Sequence, residues 1–121
     1  MEKKNNLISS FKCAICGIVT ALKRERNLKI HFVFMVLVII AGILLKISKG
    51  EWFVCLILFA LVIASELINT AIEQMVDLAM PEKNEKAKYA KDASAGAVLF
   101  CAIISAIIGL IIFIPKIIAL F

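Results

Sequence analysis

Three nearly unbroken apolar runs, residues 30–47, 52–64 and 93–114, lie in a chain of only 121 residues. No soluble fold of this size has an interior large enough to hide them. Hydrophobic residues make up 63% of the sequence, where ordinary soluble domains sit near half. The mean hydropathy is +1.02. The solvent that accepts such surface is the bilayer, and the runs are expected to cross it as helices. Length alone predicts one domain.

The second run sharpens this. From Trp52 to Ala64 it has too few residues to cross a membrane. The helical pattern continues through Ser65-Glu66-Leu67-Ile68-Asn69-Thr70-Ala71-Ile72-Glu73 to Met80, where Pro81 stops it. The span therefore contains acidic residues or ends at them. Upstream, Leu7, Ile8, Phe11, Ala14, Ile15, Ile18, Val19 and Leu22 recur at spacings of three and four. They predict a basic amphipathic helix, lying in the membrane surface or packed on other protein. The expected architecture is all-α: a surface helix over about 7–27 and spans over about 28–47, 52–80 and 90–115, all in one domain, 1–121. Residues 81–92 read as a charged loop, and Pro115 and Lys116 as the exit of the third span.

Charge sets the expected orientation. Of 14 Lys and Arg, seven lie in residues 1–29 and four in 83–91. The 46–51 turn carries two and the C-terminal end one. Basic residues stay in the cytoplasm, so the N-terminus and the second loop are expected inside and the C-terminus outside. The same distribution argues against nucleic-acid binding, for which no aromatic-rich soluble surface exists. No cleavable signal peptide is expected, because residues 1–29 lack its short apolar core. Cys13 and Cys16 form a single CxxC without a second pair, which reads as two helical positions one turn apart before it reads as zinc or redox chemistry.

On a helical wheel Glu66, Asn69, Thr70, Glu73 and Asp77 share one face about 100° wide. Along the axis Glu66 stands about 10 Å from Glu73 and about 16 Å from Asp77. Carboxylates near hydrocarbon are costly unless hydrated, paired or metal-bound. One reading pairs them with Lys23, Arg24, Arg26 or Lys91. The other is a hard-cation site, since Mg²⁺ takes one or two carboxylates plus phosphate oxygens. The clusters Lys23-Arg24-Glu25-Arg26 and Lys88-Tyr89-Ala90-Lys91-Asp92 supply cations suited to phosphates. Glu25 is either a local ion-pair partner or part of that site. No Walker A or kinase glycine-rich loop is present.

The strings Glu66-Leu-Ile-Asn-Thr-Ala-Ile-Glu-Gln-Met-Val-Asp77 and Ala87-Lys-Tyr-Ala-Lys-Asp-Ala-Ser-Ala-Gly-Ala-Val98 resemble the small bacterial diacylglycerol kinase and undecaprenol kinase family. Ser10-Phe-Lys12, Glu25-Arg-Asn-Leu-Lys-Ile-His31 and Glu51-Trp52 fit it too, particularly its Gram-positive branch. The resemblance covers nearly the whole chain. It implies a homotrimer in the bacterial inner or plasma membrane. It implies Mg²⁺, with ATP as co-substrate, and phosphorylation of a lipid alcohol at the membrane–water boundary. Glu66 matches the family's catalytic base, and Glu25 and Glu73 its metal ligands. Asn69, Asp77, Lys91 and Asp92 match polar positions around the nucleotide and the site. Lys29 stands where enterobacterial members carry Arg, and the surface helix is aliphatic where theirs is aromatic, departures that bear on lipid contacts.

Undecaprenol is the preferred acceptor on this branch resemblance, and diacylglycerol the alternative. A small cation- or proton-coupled transporter is a distant third reading. It needs acids at the bilayer midplane and polar residues on several spans, whereas the first and third runs are nearly free of charge. A non-catalytic membrane scaffold is a further reading, under which no activity depends on Glu66.

Overall fold

The computed structural model describes residues 6–121. Lys3 and Lys4, part of the N-terminal basic excess, lie outside the described residues. Among the described residues the chain forms four helices: α1 (Leu7–Arg24), α2 (Arg26–Leu45), α3 (Lys49–Ala79) and α4 (Glu85–Ile118). Helices α2, α3 and α4 are each long and apolar enough to cross a membrane. The chain is thus an all-helical, multi-pass membrane protein.

The connections are short and chemically defined. The Asn6 side chain accepts from the Ser9 N–H at 2.8 Å and starts α1. Glu25 alone, in extended conformation, separates α1 from α2. Leu28, in the first turn of α2, is fully buried beside this elbow. At the far end of α2, Lys46 enters the left-handed region (φ 55°, ψ 55°) and Ile47 N–H returns to the Gly42 carbonyl. Ser48 then opens α3 with a reciprocal cap: its hydroxyl accepts from Glu51 N–H, and the Glu51 carboxylate accepts from Ser48 N–H. The same carboxylate pairs with Lys116 at 3.2 Å, tying the start of α3 to the end of α4.

Two boundaries differ from expectation. Residues 85–92, expected in a loop, form the first two turns of α4. The Asn84 side chain caps them by accepting from Lys86 and Ala87 N–H, and Lys88 pairs with Asp92 one turn on at 2.7 Å. Glu, Lys and Ala are strong helix formers, so the charge that suggested a loop favours a solvated helix. Pro115 does not end α4, which continues to Ile118. So near the terminus, its missing N–H removes one helical bond and little else.

α3 packs most extensively on α4, and contacts α1 and α2 as well. The interior is small: Ala21, Leu28, Ile47, Cys55, Val62 and Val98 are the buried apolar residues, with Glu66 and Asn69 among them. Most large apolar side chains on the three long helices face outward, as a lipid or subunit boundary requires. Gly42 marks the tightest approach. A Cβ there would meet the Trp52 ring at 2.7 and 2.9 Å and Ile47 Cδ1 at 3.1 Å. Gly42→Ala forces only an indole shift, and the helix-propensity gain of about 1 kcal/mol offsets it. Gly42→Leu has no such escape and is expected to cost about 1–3 kcal/mol by overpacking. Thermal unfolding in detergent checks this, with a lower Tm for Gly42→Leu and little change for Gly42→Ala.

Candidate active site

The polar face of α3 is graded by depth. Glu66 is 2% exposed and Asn69 6%, Glu73 is half-buried, and the Asp77 side chain is 62% exposed. α3 buries this face because α4 covers one side of it and the α1–α2 elbow the other. The helix thus carries one line of polar groups from a sheltered carboxylate to an open one. Thr70 shares the face but turns back on its own helix, donating to the Glu66 carbonyl at 3.0 Å.

At the sheltered end, His31 of α2 places Nε2 3.7 Å from Glu66 Oε1. Glu25 in the elbow and Glu73 one polar step along α3 both stand within coulombic reach of Glu66. Three carboxylates and one imidazole therefore converge from two segments far apart in sequence. Among the described residues no three His, Cys, Asp or Glu form a ready-made metal cage. Two carboxylates from different elements, Glu25 and Glu73, are the donor set that suits a hard cation completing its shell with phosphate and water.

Asn69 links α3 to α4. Ser94 Oγ donates to Asn69 Oδ1 at 2.6 Å, and Asn69 Nδ2 donates to Glu73 Oε2 at 3.4 Å. The Glu73 carboxylate can only accept, so it draws the amide N–H toward itself and leaves Asn69 Oδ1 to the Ser94 hydroxyl. At the open end, Lys91 Nζ donates to Asp77 Oδ1 at 2.8 Å. Lys91, Asp77 and Asp92 line a cleft of about 620 Å³ between the end of α3 and the start of α4, with Lys83 and Lys88 on its rim. Asp92 itself pairs with Lys88.

The expected residues thus fall into two neighbouring groups. Glu25, Glu66, Asn69 and Glu73 form the sheltered one. Asp77, Lys91 and Asp92 form the open cleft. They are joined through α3 and through Lys91, which feels the charge of Glu73. The pairing of acids with Lys91 applies to Asp77, and among the described residues no lysine or arginine lies within ion-pair distance of the sheltered acids. Two residues of this region were not singled out from the sequence. Ser94 lies inside the Ala87–Val98 string, and a hydroxyl among small residues carried no signal. His31 is the chain's single histidine, and only its position opposite Glu66 gives it meaning.

From His31 an apolar cavity of about 320 Å³ runs along α2, α3 and α4, past Phe34, Val62 and Ser105 to Phe113. The site therefore has a charged side, open at Asp77 and Lys91, and an apolar side that begins at His31, next to Glu66. Such a site can bring an amphiphile's hydroxyl to a carboxylate while phosphates remain in water.

Comparison with known proteins agrees with this chemistry. The family described as prokaryotic diacylglycerol kinase matches residues 12–113. The chain is 44% identical over 112 residues to an undecaprenol kinase of Bacillus subtilis (strain 168), covering 93% of this chain and 91% of that protein. It is 40% identical over 116 residues to a diacylglycerol kinase of Synechocystis, covering 95% of this chain and 66% of the other. A diacylglycerol kinase of Sinorhizobium is 42% identical over 66 residues, which is 54% of this chain and 47% of its own length.

Proposed function

Because the chain belongs to the prokaryotic diacylglycerol kinase family and is an ATP-dependent membrane lipid kinase, we propose that its acceptor is undecaprenol, giving undecaprenyl phosphate. The observation that carries this choice is the 44% identity, over nearly the full length of both chains, to a protein named for that activity. Diacylglycerol, giving phosphatidic acid, is the second reading, favoured by the relative at 40% identity.

Glu66 is the base. Its carboxylate takes the proton of the lipid hydroxyl as that oxygen bonds to the γ-phosphorus and the bond from γ-phosphorus to the bridging oxygen of ADP breaks. Burial at the oily edge keeps water from competing for the phosphoryl group. Asn69 and the cleft residues Asp77, Lys91 and Asp92 hold the nucleotide's polar parts, with Lys91 placing positive charge near the phosphates. Glu25 and Glu73 are the two carboxylates that would hold Mg²⁺. When bound, Mg²⁺ supplies charge neutralisation across the phosphate oxygens.

The remaining features follow the same reading. The whole chain, 1–121, is one kinase domain, with α1 on the cytoplasmic membrane surface and spans over about 28–47, 52–80 and 90–115. The N-terminus is cytoplasmic and the C-terminus outside, supported by the basic excess in residues 1–29 and 83–91. The protein works as a homotrimer, the state that the family resemblance implies; the outward-facing apolar side chains of the three long helices leave surface for neighbouring subunits as well as for lipid.

Purified protein given labelled ATP, Mg²⁺ and either undecaprenol or diacylglycerol tests the acceptor. The expected result is a kcat/KM at least tenfold higher for undecaprenol. A preference for diacylglycerol overturns the choice.

A further inference from the structure

We propose that Ser94 is a positioning residue for the metal half of the site: it holds the Asn69 amide, and through that amide it holds the Glu73 carboxylate. The inference rests on the reading of Glu73 as a ligand of Mg²⁺. Ser94 Oγ stands 2.6 Å from Asn69 Oδ1, and Asn69 Nδ2 stands 3.4 Å from Glu73 Oε2. The first is a short bond for a hydroxyl donor, and the second is longer than N–H···O bonds usually are. Glu73 thus decides which end of the amide faces it but holds that end weakly. The stronger restraint on the amide comes from Ser94.

Ser94 has one hydroxyl proton and two acceptors in reach. Its Oγ also lies 3.0 Å from the Lys91 carbonyl, one turn back on α4. That carbonyl is inside a helix, where the N–H four residues on already bonds it. Asn69 Oδ1 has no such ladder partner, and its residue is only 6% exposed, where water is scarce. A buried acceptor left without a donor is costly, so the proton belongs to Asn69. The sequence of α4 brings it there. Lys91, Ser94 and Val98 recur at spacings of three and four, so one stripe of α4 meets the polar side of α3. Lys91 pairs with Asp77 at the open end, and Val98 is buried at the other. These two contacts set the rotation of α4 about its axis and place the hydroxyl between them. The consequence falls on Glu73. An N–H on Oε2 restricts the turning of the carboxylate and leaves Oε1 for a cation. Partners that orient a metal ligand in this way contribute about 10–100-fold to affinity. Asn69 is that partner, and Ser94 acts one bond further out, so its own effect is smaller.

Mn²⁺ in place of Mg²⁺, followed by electron paramagnetic resonance, tests this in the full-length protein without turnover. The quantity read is the apparent Kd for Mn²⁺ at a fixed concentration of a non-hydrolysable ATP analogue. Ser94→Ala removes the hydroxyl and keeps a strong helix former at that position. Its Kd is expected to rise about 3–10-fold. The Mg²⁺ concentration for half-maximal activity rises in parallel, and Tm stays close to that of the wild type. In the Asn69→Ala background the same substitution is expected to change Kd by less than about 1.5-fold, since a residue that acts only through Asn69 has nothing left to act on. A serine that merely packs α4 against α3 shows its effect in Tm and equally in both backgrounds. Wild-type Mn²⁺ affinity in Ser94→Ala overturns the proposal, and so does an undiminished effect in Asn69→Ala. If Glu73→Gln binds Mn²⁺ as the wild type does, the ligand reading itself has failed and the positioning role falls with it. Weakened binding in Glu73→Gln without any in Ser94→Ala sinks the positioning role alone.

Discussion

Glu66→Gln is expected to lower kcat by about 10²–10⁴-fold while leaving the protein folded and able to bind ATP. The range is that of general-base catalysis by one positioned group, and it corresponds to about 3–5.5 kcal/mol of barrier. Glutamine has the same shape and still accepts a hydrogen bond, so packing between α3 and the elbow is retained. What it loses is the ability to take a proton. Stability should hold or rise, because a neutral amide at a 2%-exposed position carries a smaller desolvation penalty than a carboxylate. KM for ATP should change by less than about threefold, since the residues proposed to hold the nucleotide lie further along α3 and on α4. Phosphoryl transfer to lipid at saturating substrates, alongside thermal unfolding in detergent, separates these effects. Activity within threefold of wild type removes Glu66 from the mechanism, and a collapsed Tm with no activity marks a folding role instead.

The sequence made the outline of this site legible because the physics that writes it is local. Apolar runs of span length identify membrane helices, and an acidic face on one helix is visible on a wheel without knowledge of its neighbours. That is why Glu66, Asn69, Glu73 and Asp77 emerged together. The wheel holds no information on depth, however. The gradient from 2% exposure at Glu66 to 62% at Asp77 depends on what α4 and the elbow cover. Contacts between distant segments were equally hidden. His31 and Glu66 are 35 residues apart and Ser94 and Asn69 are 25 apart, and no periodicity within one helix links them. The helical start at Glu85 was obscured for a different reason, since dense charge occurs in loops and on solvated helices alike. The cap at Asn84 is the feature that decides between them. The reciprocal cap of Ser48 and Glu51 has a signature at fixed spacing and was open to direct reading.

Glu73→Gln tests the water-facing half of the site, and its expected effect falls on the metal instead of on the proton. The substitution leaves the side chain its length and its place opposite Asn69 Nδ2, 3.4 Å away in the native protein. It removes one of the two negative charges proposed to hold Mg²⁺. A cation that keeps several waters and is held by one or two carboxylates depends heavily on each of them. Even groups that only orient metal ligands are worth about 10–100-fold in affinity, so a direct ligand should matter at least that much. The Mg²⁺ concentration for half-maximal activity, measured at fixed saturating ATP and lipid, is therefore expected to rise by about 100-fold. Part of the lost rate should return at high Mg²⁺, which Glu66→Gln cannot show, because no metal replaces a missing base. Tm should hold, since Glu73 is half-buried and, among the described residues, no lysine or arginine lies within ion-pair distance of it. An unchanged Mg²⁺ requirement in folded Glu73→Gln removes Glu73 from the ligand set. The acidic face of α3 would then serve the proton at one end and Lys91 at the other, with the cation held elsewhere.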